Sequence, residues 1–355
     1  MIITLLNCAP PEKEALPSIE NSYAAVASVS MDYAVGTLSA VQLDDLSVQE
    51  SISTVSGDPL VFFEDNHVWQ LNRFQYDTLR KYNPKDLSAP LNEISLRPQG
   101  ISSVNPQDFE FCAEKLFISL YDYNALLVVD PETLSIINEI DLSSLNHSDD
   151  ADLLLELADM IVVENTLFVG AQRLNRQSGW NSVGSLIAKV DCEDEELLSM
   201  QNVGSNIRIF DVEDSEIVFS SEPWEDFSAG IYTLSFGFEP DPIVTAEGIF
   251  GIENFVSHDE HIFFSSLSTD YSEYNIYCGS SSNPTLLTTT QAFVTEIAQN
   301  ENEAWVGTHW GWNNPEAQIP NITRYDISTC TQIGEPIITE LAPYSITFVD
   351  HDTSN

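Results

Sequence analysis

Basic residues are scarce in this sequence. Its 355 residues carry 12 Lys+Arg against 56 Asp+Glu, a formal net charge of −44 at pH 7. A surface this acidic repels phosphate backbones and anionic headgroups, which argues against nucleic acid and against adsorption to a membrane surface. It suits a highly soluble protein of a salty environment, where screening makes the self-repulsion tolerable; a cation-binding surface is the sharper alternative. Long apolar runs are also missing. No stretch reaches the roughly 18 apolar residues of a transmembrane helix. Catalytic signatures are absent as well: no G-x-S-x-G, H-E-x-x-H, P-loop or GxGxxG element occurs, and no nucleophile stands beside a base.

Cysteine is sparse, with five residues at 8, 112, 192, 278 and 330. None lies in a CxxC or Cys/His spacing, so a zinc site is not expected. The segment Met1–Pro11 (MIITLLNCAPP) is an apolar run ending at a cysteine, then a polar Pro/Glu-rich stretch. This looks like the end of a lipoprotein signal peptide and makes Cys8 a candidate for lipidation. Asn7 departs from the small residue usual before such a cysteine, and the run is short with no basic segment ahead of it. On this reading residues 1–21 are a signal remnant and tether, and residues 22–355 form one domain. An extracytoplasmic compartment would permit disulfides. Cys278 and Cys330 occupy similar places in neighbouring repeats and are the best pair, although connectivity cannot be read from sequence.

What the chain does have is a degenerate repeat. Hydrophobic residues make up 43% of it, in short runs rich in β-branched and aromatic residues and separated by polar turns, as in an all-β array. Residues 108–142 give the clearest unit: DFEFCAE, KLFISLYD, NALLVVDPETL and SIINEIDL. Pro131 pre-sets a tight turn, so the third and fourth runs form a hairpin and the unit reads as four antiparallel strands, a to d. The same order recurs over 59–96, 159–203, 205–246, 253–288 and 293–339. Residues 23–55 supply only b, c and d, while SITFVDHD (345–352) supplies a lone a strand. Joining the two closes a ring and removes the exposed sheet edges of an open array. The expected fold is therefore a single seven-bladed β-propeller of four-stranded antiparallel blades. Six or eight blades remain open if a unit has been merged or split. The NHSDDADLLLELA stretch (146–158) interrupts the pattern and is expected to hold one or two helical turns.

The stretch KLFISLYDYNALLVVDPETLSIINEIDL (115–142) resembles the YVTN-type propeller repeat. The following stretch, with LFVGAQRLNRQSGW (167–180) and LIAKVD (186–191), is similar to propeller lipoproteins of the deltaproteobacterial envelope. The resemblance covers about residues 100–200. It implies a seven-bladed ring on a bacterial cell envelope, lipid-anchored, periplasmic or secreted, and it brings no catalytic residues.

In a propeller the b–c and d–a connections emerge on one face, and the a–b and c–d turns on the other. The b–c connections hold Arg73, Phe74, Tyr76, Tyr121, Asp122, Tyr123, Arg173, Asn175, Arg176, Trp180, Trp224, Tyr271, Tyr274, His309, Trp310, Trp312 and Asn313. Arg97 and Arg208 lie near d–a connections on the same side. Aromatics and arginines on acidic loops suit recognition of a protein, peptide or glycan. The same residues can instead pack neighbouring loops or neutralise nearby carboxylates. The candidate binding residues are Arg73, Tyr76, Tyr121, Tyr123, Arg173, Arg176, Trp180, Trp224, His309, Trp310 and Trp312. Asp149, Asp150 and Asp152, with Asn146, could offer oxygen ligands to Ca²⁺, without EF-hand spacing; no other cofactor is expected. The functional expectation is a monomeric, non-catalytic binding or scaffold protein. The alternative is a propeller enzyme, a metal-assisted hydrolase, lyase or lactonase, with its site on the central channel.

Overall fold

The computed structural model describes residues 19–350, apart from 214–215, 224–227, 236–239, 246–248, 269 and 312–318. The lipidation candidate Cys8 and the candidates Trp224, Trp312 and Asn313 therefore lie outside the described residues.

Seven antiparallel sheets stand in a ring, each with its strands side by side in the order a-b-c-d. Blade 1 is built as the sequence implies. Its b, c and d strands are Tyr23–Val29, Gly36–Gln42 and Val48–Val55, and its innermost strand is Ala342–Val349. That last strand pairs antiparallel with the first, Tyr23 opposite Val349 and Val26 opposite Ile346. It begins at Ala342, three residues earlier than the sequence pattern suggested, and so takes in Tyr344.

The blade count follows from the packing. A blade is a sheet buried on both faces, so its central strands read as near-continuous apolar runs. Lys115–Leu120, Thr166–Ala171 and His261–Leu267 are buried along most of their length, whereas outermost strands such as Ser135–Asp141 are largely exposed. The buried apolar residues separate into seven clusters, one for each contact between adjacent blades. Tyr23 and Leu38 meet Val68 and Tyr82 between blades 1 and 2. Trp69 and Leu71 meet Phe109 and Ile118 between blades 2 and 3. The seventh cluster joins Trp305 and Ile322 of blade 7 to Ala24 and Val26 of blade 1. Seven interfaces with no free end make a closed ring.

The helical turns expected over 146–158 are not there. A single 3-10 turn covers Ser143–Leu145, and Leu157 already opens the innermost strand of blade 4, Leu157–Val163. Leu155 and Leu157 are buried between blades 3 and 4. Leu153 and Glu156 take positive φ values of 57° and 46°, which a helix does not tolerate. Burial between two blades outweighs the helix preference of a leucine run. Ile19, assigned to the tether by the sequence, is buried in the blade 1–2 cluster.

Candidate functional site

The two faces of the ring are made differently. On the a–b and c–d side, the c–d turns of blades 3, 4 and 7 are short and closed by aspartates. Asp130 Oδ1 accepts hydrogen bonds from the Thr133 amide and hydroxyl, Asp191 from the Glu193 and Asp194 amides, and Asp326 from the Thr329 amide and hydroxyl. These are the self-capping turns that Asp forms readily. Both disulfides lie on this side. Cys278–Cys330 joins blades 6 and 7 as the sequence suggested. Cys112–Cys192, which the sequence did not single out, joins blades 3 and 4. Beside it the Lys115 ammonium donates to the Cys192 and Glu193 carbonyls and pairs with Glu195.

The b–c and d–a side carries longer connections. Arg176 is fixed between two carboxylates, Asp122 at 2.7 Å and Glu156 at 2.8 Å. Its guanidinium also lies over the Tyr121 and Trp180 rings, at 5.2 and 5.1 Å. Arg173 is buried, its Nε donating to the Gly184 carbonyl and Nη2 to Asn202. Both arginines thus brace the blade 4 loop, which also holds a short hairpin of Leu174–Asn175 and Asn181–Ser182. His309 is buried, stacked on Tyr33 at 4.8 Å, with Nδ1 against the Trp310 carbonyl; burial lowers its pKa. Tyr123 bonds to Glu139 and packs on the blade 2–3 cluster. Asp150 and Asp152 spend oxygens on backbone amides of their own turn, and Asp152 accepts from the Arg176 amide. Among the described residues no group of three or more His, Cys, Asp or Glu is placed to hold a metal ion.

The residues that do converge surround the ring axis. The innermost strands enclose a channel of about 680 Å³, opening on the loop face into a vestibule of about 540 Å³ walled by Tyr33, Arg73, Phe74, Tyr76, Tyr121 and Tyr344. Gly57 positions Tyr33, because a Cβ there would lie 1.7 Å from the Tyr33 carbonyl oxygen. Arg73 forms the collar between the two spaces. It pairs with Asp58 at 2.5 Å, donates to Gln107 at 3.0 Å and to the Tyr344 hydroxyl at 3.1 Å. Tyr344 in turn donates to Asp58 at 2.9 Å. The sequence reading missed Tyr344; its signal was the extension of the closing strand by three residues.

Below the collar the channel is acidic. Asp108, Glu110, Asp159, Glu253 and Glu296 line it with one further cation, Arg208. Arg208 pairs with Asp159 at 3.0 Å and reaches Glu253 at 3.7 Å. Burial, reinforced by neighbouring carboxylates, pushes Asp108 and Glu110 well above the usual carboxylate range. Burial also raises Glu253, and lifts Glu296 to about 7 against the hydrogen bonds of Ser345 and Ile346. Such groups are candidates to hold or move protons near neutral pH. No sequence motif marks them. The trace they leave is alternation along innermost strands, as in Asp-Phe-Glu-Phe at 108–111.

No family model and no curated protein matches this chain. Solved structures do. A candidate 6-phosphogluconolactonase from Bacteroides fragilis superposes with a TM-score of 0.61 at 10% identity, covering 93% of this chain and 99% of that one. A chain of the mitotic checkpoint complex gives 0.56 at 9% identity over 98% and 91%. The dihydro-heme d1 dehydrogenase NirN gives 0.52 at 12% identity over 95% and 76%. At these identities the shared property is the propeller fold.

Proposed function

We propose that the protein is a recognition protein working outside the cytoplasm, whose loop face docks a polypeptide partner around the mouth of the channel. The supporting observation is where exposed apolar side chains fall. Of fifteen exposed large hydrophobics among the described residues, nine belong to the loop face: Met31, Tyr33, Val35, Phe74, Tyr76, Leu153, Trp180, Tyr271 and Ile319. The other six run along or beside outermost strands, and none sits on a tight turn of the opposite face. Three of them, Tyr33, Phe74 and Tyr76, wall the vestibule at the channel mouth, and exposed aromatics of this kind anchor protein interfaces. Two disulfides are compatible with an oxidising compartment; an envelope location with a lipid on Cys8 completes the reading, in keeping with the resemblance to envelope propeller lipoproteins.

The test uses envelope extracts of the source cell. Wild-type protein should capture a defined polypeptide, and Phe74→Ser with Tyr76→Ser should lose it at unchanged melting temperature. Equal capture by the double variant removes the loop face from the proposal.

The second reading, an enzyme, is favoured by one feature, the raised carboxylates of the channel. It requires Glu296→Gln or Asp108→Asn to abolish turnover of a hydrolysable substrate while the Phe74/Tyr76 variant retains it.

A further inference from the structure

The vestibule at the channel mouth has walls of one chemistry above a floor of another. The walls are aromatic. Tyr33, Phe74, Tyr76, Tyr121 and Tyr344 surround about 540 Å³, and the first three remain 40%, 57% and 56% exposed. The collar between vestibule and channel adds no free positive charge, because Arg73 is held by Asp58 at 2.5 Å and by the Tyr344 hydroxyl at 3.1 Å.

The floor is acidic. Each innermost strand follows a d–a connection, so it starts at the loop face, and position along it measures depth. Asp108 and Asp159 are third in Pro106–Cys112 and Leu157–Val163. Glu253 and Glu296 are fourth in Phe250–His258 and Phe293–Asn300. Four carboxylates from four blades therefore form one layer near the top of the channel that they line. Arg208, fourth in Ser205–Glu213, is the cation of that layer, and it is engaged by Asp159 at 3.0 Å and Glu253 at 3.7 Å. Asp108 and Glu296 have no cation within ion-pairing distance among the described residues. Neutral donors hold them instead, the Met160 amide at 2.7 Å for Asp108, and Ser345 and Ile346 for Glu296. Glu110, one step deeper on the same side of its strand, faces the like charges of Asp108 and Glu64. Burial raises the pKa of Asp108, Glu110 and Glu296, and neighbouring carboxylates add to it at Asp108 and Glu110. The layer is short of positive charge, and an entering cation would relieve it.

Walls and floor together select the occupant. Aromatic rings attract a cation through their negative faces, and carboxylates attract it outright. An acidic side chain is repelled by the floor. An apolar one suits the walls but takes water from carboxylates that it cannot pair with. Lysine and arginine carry both parts, an apolar stem for the walls and a charged head for the floor. Resting on the docking proposed above, we propose that the polypeptide partner inserts one basic side chain, a lysine or an arginine, through the aromatic vestibule toward Asp108 and Glu296. The net charge of −44 draws a basic segment to this face and fixes which segment can dock.

The experiment titrates the intact protein with end-blocked pentapeptides Gly-Ser-X-Ser-Gly, in which X is lysine, arginine, glutamine or glutamate. Binding is read by calorimetry and by amide chemical shifts, at about 0.15 M salt so that diffuse attraction is screened. A basic peptide should bind at one site, shift amides near 73–76 and 105–108, and exceed the glutamine peptide about tenfold or more, as a charge-assisted contact should. The shape-preserving Asp108→Asn and Glu296→Gln should each remove most of that advantage. Glu132→Gln, at an exposed carboxyl on the opposite face, should leave it unchanged. The inference is overturned if neither basic peptide binds up to about 10 mM, the edge of measurable affinity. Equal binding of the glutamine or glutamate peptide overturns it too, as does an equal loss in Glu132→Gln. Capture from envelope extract separates the inserted side chain from the docking itself. A wild type that captures nothing removes the docking surface. Capture that the Asp108→Asn/Glu296→Gln double variant retains, and that Phe74→Ser with Tyr76→Ser loses, keeps the docking and removes the inserted cation.

Discussion

The two faces of this ring divide holding from presenting. The a–b and c–d face carries turns closed by an aspartate on its own backbone in blades 3, 4 and 7, together with both disulfides. The opposite face spends its arginines on bracing longer loops and leaves aromatic side chains in solvent around the channel mouth. The same four-stranded unit thus supports rigidity at one end of its strands and variation at the other. Loops on a scaffold can vary because the backbone beneath them is satisfied elsewhere.

Removing the staples of the a–b and c–d face should have the largest effect. Each disulfide closes a loop of 80 or 52 residues, for which the chain-entropy model gives about 4 kcal/mol apiece. Replacing the four disulfide cysteines by serine should therefore lower the melting temperature by about 10 °C, read by calorimetry, while polypeptide capture at low temperature persists. Loss of capture in a still-folded tetra-serine protein would mean that the stapled face takes part in recognition.

The loop face should respond in the opposite way. Phe74→Ser and Tyr76→Ser remove exposed rings and should cost about 2 kcal/mol of binding, near 30-fold, with the melting temperature within about 2 °C of wild type. Trp180 is the control within that face, because its ring is already engaged by Arg176. Trp180→Ala should loosen the 173–183 loop, detected by hydrogen exchange, as well as weaken capture.

The smallest effect concerns pH. Burial raises the folded-state pKa of Asp108, Glu110, Glu253 and Glu296 above their unfolded values. The folded state then binds more protons than the unfolded one, so stability falls as pH rises above about 4, through about 7 for Glu296 and further for Asp108 and Glu110. Crowding of negative charge acts in the same direction, and added salt should offset it. Glu296→Gln removes one such group and should raise the melting temperature by about 1–2 °C at pH 8, with little change at pH 4.5. An increase at pH 4.5 but not at pH 8 would contradict the sign.

Much of this was legible in the sequence, for identifiable reasons. Strands buried on both faces must be apolar throughout, so runs such as KLFISL and ALLVVD announce themselves, and a lone strand at the end must pair somewhere. The YVTN-like stretch pointed to the same ring. What stayed hidden depends on distance in the chain. Nothing in LLLELA shows that Leu155 and Leu157 will be trapped between two blades. Arg173 and Arg176 look alike as loop charges; only the folded chain brings Asp122 and Glu156 to one and leaves the other without a carboxylate. The channel carboxylates were missed because alternation does not reveal which side of an innermost strand faces the axis. Cys112–Cys192 could have been found by noting that both residues fall at the same end of adjacent repeats.

The division between the faces is tested most directly by site-specific photo-crosslinking in envelope extract. A photoreactive residue is placed at Tyr76 in one protein and at Glu132, on the Asp130 turn, in another. One defined polypeptide adduct is expected from position 76 and none above background from position 132. Equal adducts from both, or an adduct from position 132 alone, would contradict it.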